Sequence, residues 1–105
     1  MGWRIVWSRF AENELTSIYN YYIENASTNI AQKLLMGIVN APNIILKNPR
    51  IGQVEIDLLE LSTEYRYILF KSYKIIYSLD TEKKHIRIAD VFDTRQDPKK
   101  IKRNT

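Results

Sequence analysis

The side chains able to do acid–base or phosphate chemistry are few and unevenly placed. His85 is the only histidine, and histidine is the commonest general acid or base near neutral pH. It stands in the polar run Glu82-Lys83-Lys84-His85, where a surface histidine with no chemical role is the simpler reading. Arg95, Lys99, Lys100, Lys102 and Arg103 form a basic cluster with Asp97 as its single acid. Electrostatics lets such a cluster dock on phosphates or on an acidic protein; a solvated, frayed C-terminus is the alternative. Lys74 is a candidate phosphate or partner ligand, with an ion pair to cross-strand Asp90 as the structural alternative. Tyr19, Tyr21 and Tyr22 suggest a base-stacking platform, but helical spacing splits them and assigns Tyr22 to a core stripe. The absence of cysteine excludes disulfide scaffolds, thiolate zinc sites and cysteine nucleophiles. No metal site and no cofactor is expected.

These side chains need elements to hold them. Trp3 to Trp7 is a short aromatic and β-branched strand, with Trp3 and Trp7 on one side of it as core or edge cover, and Ser8 is placed to cap a following helix. From Arg9 to Asn25 the apolar residues Ala11, Leu15, Ile18 and Tyr22 lie on one helical stripe. Ser27, Thr28 and Asn29 form a second cap cluster before Ile30, Leu34, Ile38, Ala41 and Ile45, so a helical hairpin is expected, kinked or ended near Pro42. Asn48-Pro49-Arg50-Ile51-Gly52 stops it. Val54 to Leu61, Tyr65 to Lys71, Tyr73 to Leu79 and His85 to Phe92 then read as four strands. The fold class is α+β: a strand, a two-helix hairpin, then an antiparallel sheet of about four strands with the helices on one face.

The two-residue link Lys71-Ser72 sets a hairpin in which Phe70 faces Tyr73 and Leu69 faces Lys74. A turn over residues 80–84 then puts Ile76 opposite Ile88 and Lys74 opposite Asp90. On this register the helices cover Arg66, Ile68, Phe70, Tyr73, Ile75, Tyr77, Arg87, Ala89 and Val91, and Arg66 packs its stem there. The other face carries Tyr65, Tyr67, Leu69, Lys71, Lys74, Ile76, Ser78, Ile86, Ile88 and Asp90. That face is too apolar to be simply solvated, and with its tyrosines and lysines it reads as a partner-binding groove. Asp97-Pro98 shapes the start of a short C-terminal helix that aims the basic tail.

With 105 residues, the chain reads as one domain, 1–105, with a basic tail over 95–105. Hydrophobic residues are 45% and charged residues 27%, which is globular and not disordered. Sixteen basic against twelve acidic residues give a net charge of +4. The first residues form no signal peptide and no apolar run approaches membrane-spanning length, so a cytoplasmic protein without membrane contact is expected.

The order strand, helix, helix, sheet, together with Asn48-Pro49-Arg50-Ile51-Gly52, Tyr65-Arg66-Tyr67-Ile68-Leu69-Phe70, Tyr73-Lys74-Ile75-Ile76-Tyr77 and Val91-Phe92-Asp93-Thr94-Arg95-Gln96-Asp97-Pro98, resembles the RelE/ParE family of bacterial toxins. The resemblance spans nearly the whole chain. It implies the toxin half of a type II toxin–antitoxin pair, of the ParE-like plasmid stabilisation kind, in a hetero-oligomer with a cognate antitoxin that silences it. It implies one of two targets: DNA gyrase, as in ParE-like members, or messenger RNA in the ribosomal A site, as in RelE-like ribonucleases. In the second case the resemblance makes Lys74 and Arg95 the catalytic pair. Lys74 stands where such enzymes carry an arginine, and Arg95 matches the arginine after the last strand. Tyr67 and Leu69 occupy positions where lysines are expected, and Ile101 falls near that of a C-terminal tyrosine. RNA cleavage needs an acid, a base and fixed positive charge around the phosphate, so their loss favours a gyrase inhibitor acting by contact. Arg95, Lys99, Lys100, Lys102 and Arg103 are then the target-binding residues, and Tyr65, Tyr67, Lys71 and Ile76 the antitoxin-binding ones. A degenerate, non-toxic binding module is a further alternative.

Overall fold

The structure, a computed structural model, describes residues 2–104. Strand β1 (Arg4–Trp7) leads into α1 (Arg9–Asn25), α2 (Thr28–Asn40) and the short α3 (Asn43–Lys47). Then come β2 (Gln53–Val54), a 3-10 turn (Ile56–Leu58), β3 (Arg66–Phe70), β4 (Tyr73–Asp80), β5 (His85–Asp93) and a C-terminal 3-10 helix (Pro98–Asn104). Both expected caps form: the Ser8 hydroxyl accepts from Ala11 N at 3.0 Å and the Ser27 hydroxyl from Ile30 N at 3.1 Å. Pro42, lacking an N–H, separates α2 from α3.

The sheet order is β1-β5-β4-β3-β2, with β1 parallel to β5 and the remaining pairs antiparallel. The expected count of about four strands becomes five because β1 joins the sheet, while the run Val54 to Leu61 keeps only Val54 in a strand and turns into the 3-10 segment. The β3–β4 hairpin has the expected register, Phe70 opposite Tyr73 and Leu69 opposite Lys74. At its turn Lys71 takes a left-handed φ of 52°, as a two-residue hairpin link demands even of a non-glycine residue.

The β4–β5 register is a correction. Ile76 pairs with Asp90 and Lys74 with Phe92, whereas Tyr77 pairs with Ile88, so Ala89 is an inserted bulge residue. A one-residue bulge reverses side-chain alternation beyond it. Hence Ile86 and Ile88, expected on the far face, lie in the helix-side core, and Arg87 is exposed. The bulge is tied down by the Ser8 hydroxyl, which donates to Ala89 O at 3.2 Å.

The main core joins the helices to one sheet face through Ala11, Leu34, Ile38, Ile45, Tyr73, Ile75, Tyr77, Ile86, Ile88 and Val91, with Trp3, Trp7, Leu15, Ile18 and Tyr22 packed around it. Ile30 departs from its expected place: it is exposed and Ala31 is buried instead. Gly37 lets α2 approach β3, since a Cβ there would lie 2.2 Å from the Phe70 ring. The Tyr77 hydroxyl donates to Pro49 O at 2.8 Å and accepts from Gly52 N at 2.9 Å, which pins the segment that stops the helices.

Candidate functional site

The far face of the sheet is not an open groove. A second apolar cluster of Leu58, Ile76, Phe92 and Ile101, with Leu61, Tyr65 and Tyr67 around it, fills it. The 3-10 turn and the C-terminal 3-10 helix thus cover the face expected to receive a partner. Ile76 is 1% exposed, so its expected antitoxin contact is corrected to a core role. Tyr65 and Tyr67 are half-buried at the rim and Lys71 is exposed at the hairpin turn.

Lys74 lies on this covered face, and its partner is not Asp90. Its Nζ sits 2.6 Å from Oε1 of Glu55, a carboxylate with no side-chain exposure, and 4.3 Å from the centroid of the Tyr67 ring. Glu55 Oε2 also accepts from Asp57 N at 3.1 Å. The pair reaches across the sheet face: Glu55 follows edge strand β2 and Lys74 is on β4, with β3 between the two strands.

The basic tail is folded, not frayed. Ile101 is buried, Lys102 pairs with Glu60, and Arg103 Nη2 bridges Glu14 at 2.9 Å and Asp90 at 3.0 Å. The Arg103 guanidinium also lies over the rings of Phe10 and Phe92, 5.2 and 5.1 Å from their centroids. Arg103 is therefore a clasp between α1, β5 and the C-terminal helix, which corrects its expected place in a free basic surface, while Lys102 pairs with Glu60 and keeps a half-exposed side chain. Lys99 and Lys100 remain exposed, and Asp97 caps the segment by accepting from Lys99 N at 3.0 Å. Burial pushes the Asp90 carboxyl up to about 6 against the pull of Arg103. Arg66 is structural too, donating to Arg50 O and Gly52 O at 3.2 and 2.8 Å and pairing with Glu64 at 2.8 Å.

Arg95 sits elsewhere. β1 stops at the Trp7–Ile88 pair, so the last residues of β5 have no strand beside them on that edge. Thr94 hooks this end to the hairpin turn, its N–H and hydroxyl donating to Ser72 O at 2.8 and 2.7 Å. Asp93, paired with Tyr73, holds the Arg95 guanidinium through Nε at 2.9 Å and Nη2 at 2.7 Å, and accepts Arg95 N at 2.9 Å. This pair lines a cleft of about 400 Å³ between α1 and the β4–β5 end, with Glu14, Ser17, Ile18, Tyr21, Tyr22, Tyr73, Val91 and Gln96 as the other walls. Hydrogen bonds from Tyr73 and Arg95 hold the Tyr22 phenol below its ordinary value, while burial and its bond to Tyr22 push Tyr73 well up. Arg95 holds Asp93 below the usual carboxylate range.

The structure therefore does not bring Lys74 and Arg95 together: Lys74 shares its face with Phe92, Arg95 its cleft with Tyr73 and Asp93 on the opposite face. His85 begins β5, at the far end of that strand from Arg95, opposite Asp80. Sequence reasoning missed Tyr22, Tyr73 and Glu55 as partners of the predicted cations. Their separation along the chain leaves no local pattern to find. Among the described residues no group of three His, Asp or Glu is placed to hold a metal, and no helix is long and apolar enough to cross a membrane.

The fold is similar to that of a solved chain, "Chromosomal ParDE TA system from P. aeruginosa". The two align with a TM-score of 0.71 at 18% identity, over 87% of this chain and 95% of that one, a likeness of fold. Residues 5–98 match the family described as ParE toxin of type II toxin-antitoxin system, parDE. The chain belongs to that family, and the resemblance read from its sequence holds at this level. None of the curated proteins matches it.

Proposed function

We infer that this chain arrests growth by binding DNA gyrase and is neutralised by an acidic, amphipathic antitoxin, both in the cytoplasm. The observation that carries the reading is the fate of the two candidate catalytic cations. Cleavage at a 2′-hydroxyl needs positive charge converging on one phosphate. Here Lys74 is neutralised by buried Glu55, and Arg95 is held on the other face of the sheet. A phosphate that reached Lys74 would also meet the Glu55 carboxylate. Among the candidate cations, Arg95 lines a cleft and Lys99 and Lys100 are exposed, which suits contact with a protein. The solved chain's title names a ParDE system, which supports an antitoxin as partner.

The test is brief induction of the protein without its antitoxin, with messenger RNA 5′ ends mapped and purified gyrase assayed for supercoiling. Intact transcripts with inhibited supercoiling are expected. New ends clustered within translated codons would sink the reading in favour of the ribonuclease. No growth effect at all would favour a non-toxic binding module. Arg95→Ala is expected to relieve growth arrest and His85→Ala to leave it intact.

A further inference from the structure

We propose that the C-terminal 3-10 helix is a strap that opens and closes as a unit on the far face of the sheet, and that Arg103, Glu14 and Asp90 couple its closure to the uptake of one proton. Its apolar anchor is Ile101, buried among Leu58, Ile76 and Phe92, whereas Pro98, Lys99 and Lys100 are exposed. Ion pairs hold it as well, and their carboxylates come from different parts of the fold. Glu60, just beyond the first 3-10 turn, takes Lys102, while Glu14 on α1 and Asp90 on β5 take Arg103. A 3-10 helix of 7 residues, with hydrogen bonds of poorer geometry than those of an α-helix, is the kind of unit that opens before the whole domain unfolds. Opening uncovers Ile76 and Phe92.

The charges at the clasp do not balance. Arg103 Nη2 lies 2.9 Å from Glu14 Oε1 and 3.0 Å from Asp90 Oδ1, so one nitrogen serves two carboxylates. β1 stops at the Trp7–Ile88 pair, and past that uncovered edge of β5 the guanidinium lies over both Phe92 and Phe10 of α1. The other cations of this face are engaged: Lys74 with Glu55 and Lys102 with Glu60. Across β4, Ile76 stands opposite Asp90, and Tyr67 follows on β3. The Asp90 side chain is 3% exposed against 29% for Glu14, and Asp90 Oδ2 is buried without a hydrogen-bond partner. The excess negative charge is therefore least tolerable on Asp90, and Oδ2 is the atom that takes the proton. Burial, with Glu14 adding to it, holds this carboxyl up at about 6 against the pull of Arg103.

Opening returns Asp90 to water and towards the ordinary carboxylate value of 3.8. The closed strap thus binds more protons than the open one between about pH 4 and pH 6, so acidification through that window locks it and raising the pH loosens it. The test is hydrogen exchange of the amides of residues 100–103 by NMR in the purified protein, from pH 5 to pH 8, corrected for base-catalysed exchange. The β4 amides report global opening. Protection of the strap is expected to be lower than that of β4 and to fall about tenfold across this range. Asp90→Asn keeps the shape but cannot ionise, and is expected to abolish the fall. Glu14→Gln, at a half-exposed helix position where folding is not at risk, leaves Arg103 to Asp90 alone and is expected to reduce it. A strap that exchanges only together with β4 would overturn the local opening. Protection independent of pH in the wild type, a fall that persists in Asp90→Asn, or one undiminished in Glu14→Gln would overturn the proton coupling.

Discussion

Two cations stand in opposite settings here because of what their neighbours do to them. Lys74 is 20% exposed beside a Glu55 carboxylate with none, an arrangement in which the pair is tolerated only while both members are present. Lys74→Ala leaves Glu55 buried without its countercharge, so a loss of about 3–5 kcal/mol in chemical denaturation is expected. Replacing both, as Lys74→Met with Glu55→Leu, is expected to restore most of it, and a double variant no better than the single one would show that the pair is not the source. Arg95 also has a carboxylate, but an accessible one at the rim, and Asp93 orders the guanidinium without hiding it. The chemical character of each residue was plain in the sequence. Which carboxylate it meets was not, because Glu55 stands 19 residues from Lys74 in a run that itself looks like strand.

Among the elements, the C-terminal 3-10 helix does most to distinguish the molecule from the expectation of an open sheet face. Ile101 supplies its apolar contact and Arg103 its clasp to Asp90 and Glu14. One oxygen of Asp90, Oδ2, is buried without a hydrogen-bond partner, and burial raises this carboxyl from 3.8 to about 6. The consequence for stability has a definite sign. A carboxylate harder to ionise in the folded state than in the unfolded state binds more protons when folded between about pH 4 and pH 6. Its ionisation therefore weakens the fold above pH 6, and acidification through that window relieves the penalty. Wild type is expected to gain about 1–2 kcal/mol on Asp90→Asn between pH 8 and pH 5 in urea titrations. A constant difference between the two proteins would refute the assignment. Asp93, lowered by Arg95, acts oppositely and only below about pH 4, where its protonation removes the stability that its pairing contributes.

For the whole molecule, charge and topology act together. A protein of net charge +4 and pI near 9.4 meets an acidic partner by electrostatic steering, so the association rate with its antitoxin should fall about tenfold or more from low to high salt while dissociation changes little. Stopped-flow mixing at several ionic strengths checks this, and a salt-independent association rate would refute it. The α+β class, both helix caps, the Ala11-Leu15-Ile18-Tyr22 stripe and the β3–β4 register were legible in the sequence, because each depends on residues within a few turns or on a two-residue link. The inserted Ala89, the parallel pairing of β1 with β5 and the folding back of residues 98–104 were not. The bulge reversed the face of Ile86 and Ile88, and the returning C-terminus closed over Ile76. The sequence by itself determined what each segment would become and which residues carried charge; only the tertiary structure decided which charges are buried in pairs and which one stands in a cleft. Local periodicity is set by short-range sterics and hydrogen bonding, whereas pairing across the sheet depends on which edge remains free once the whole chain has packed.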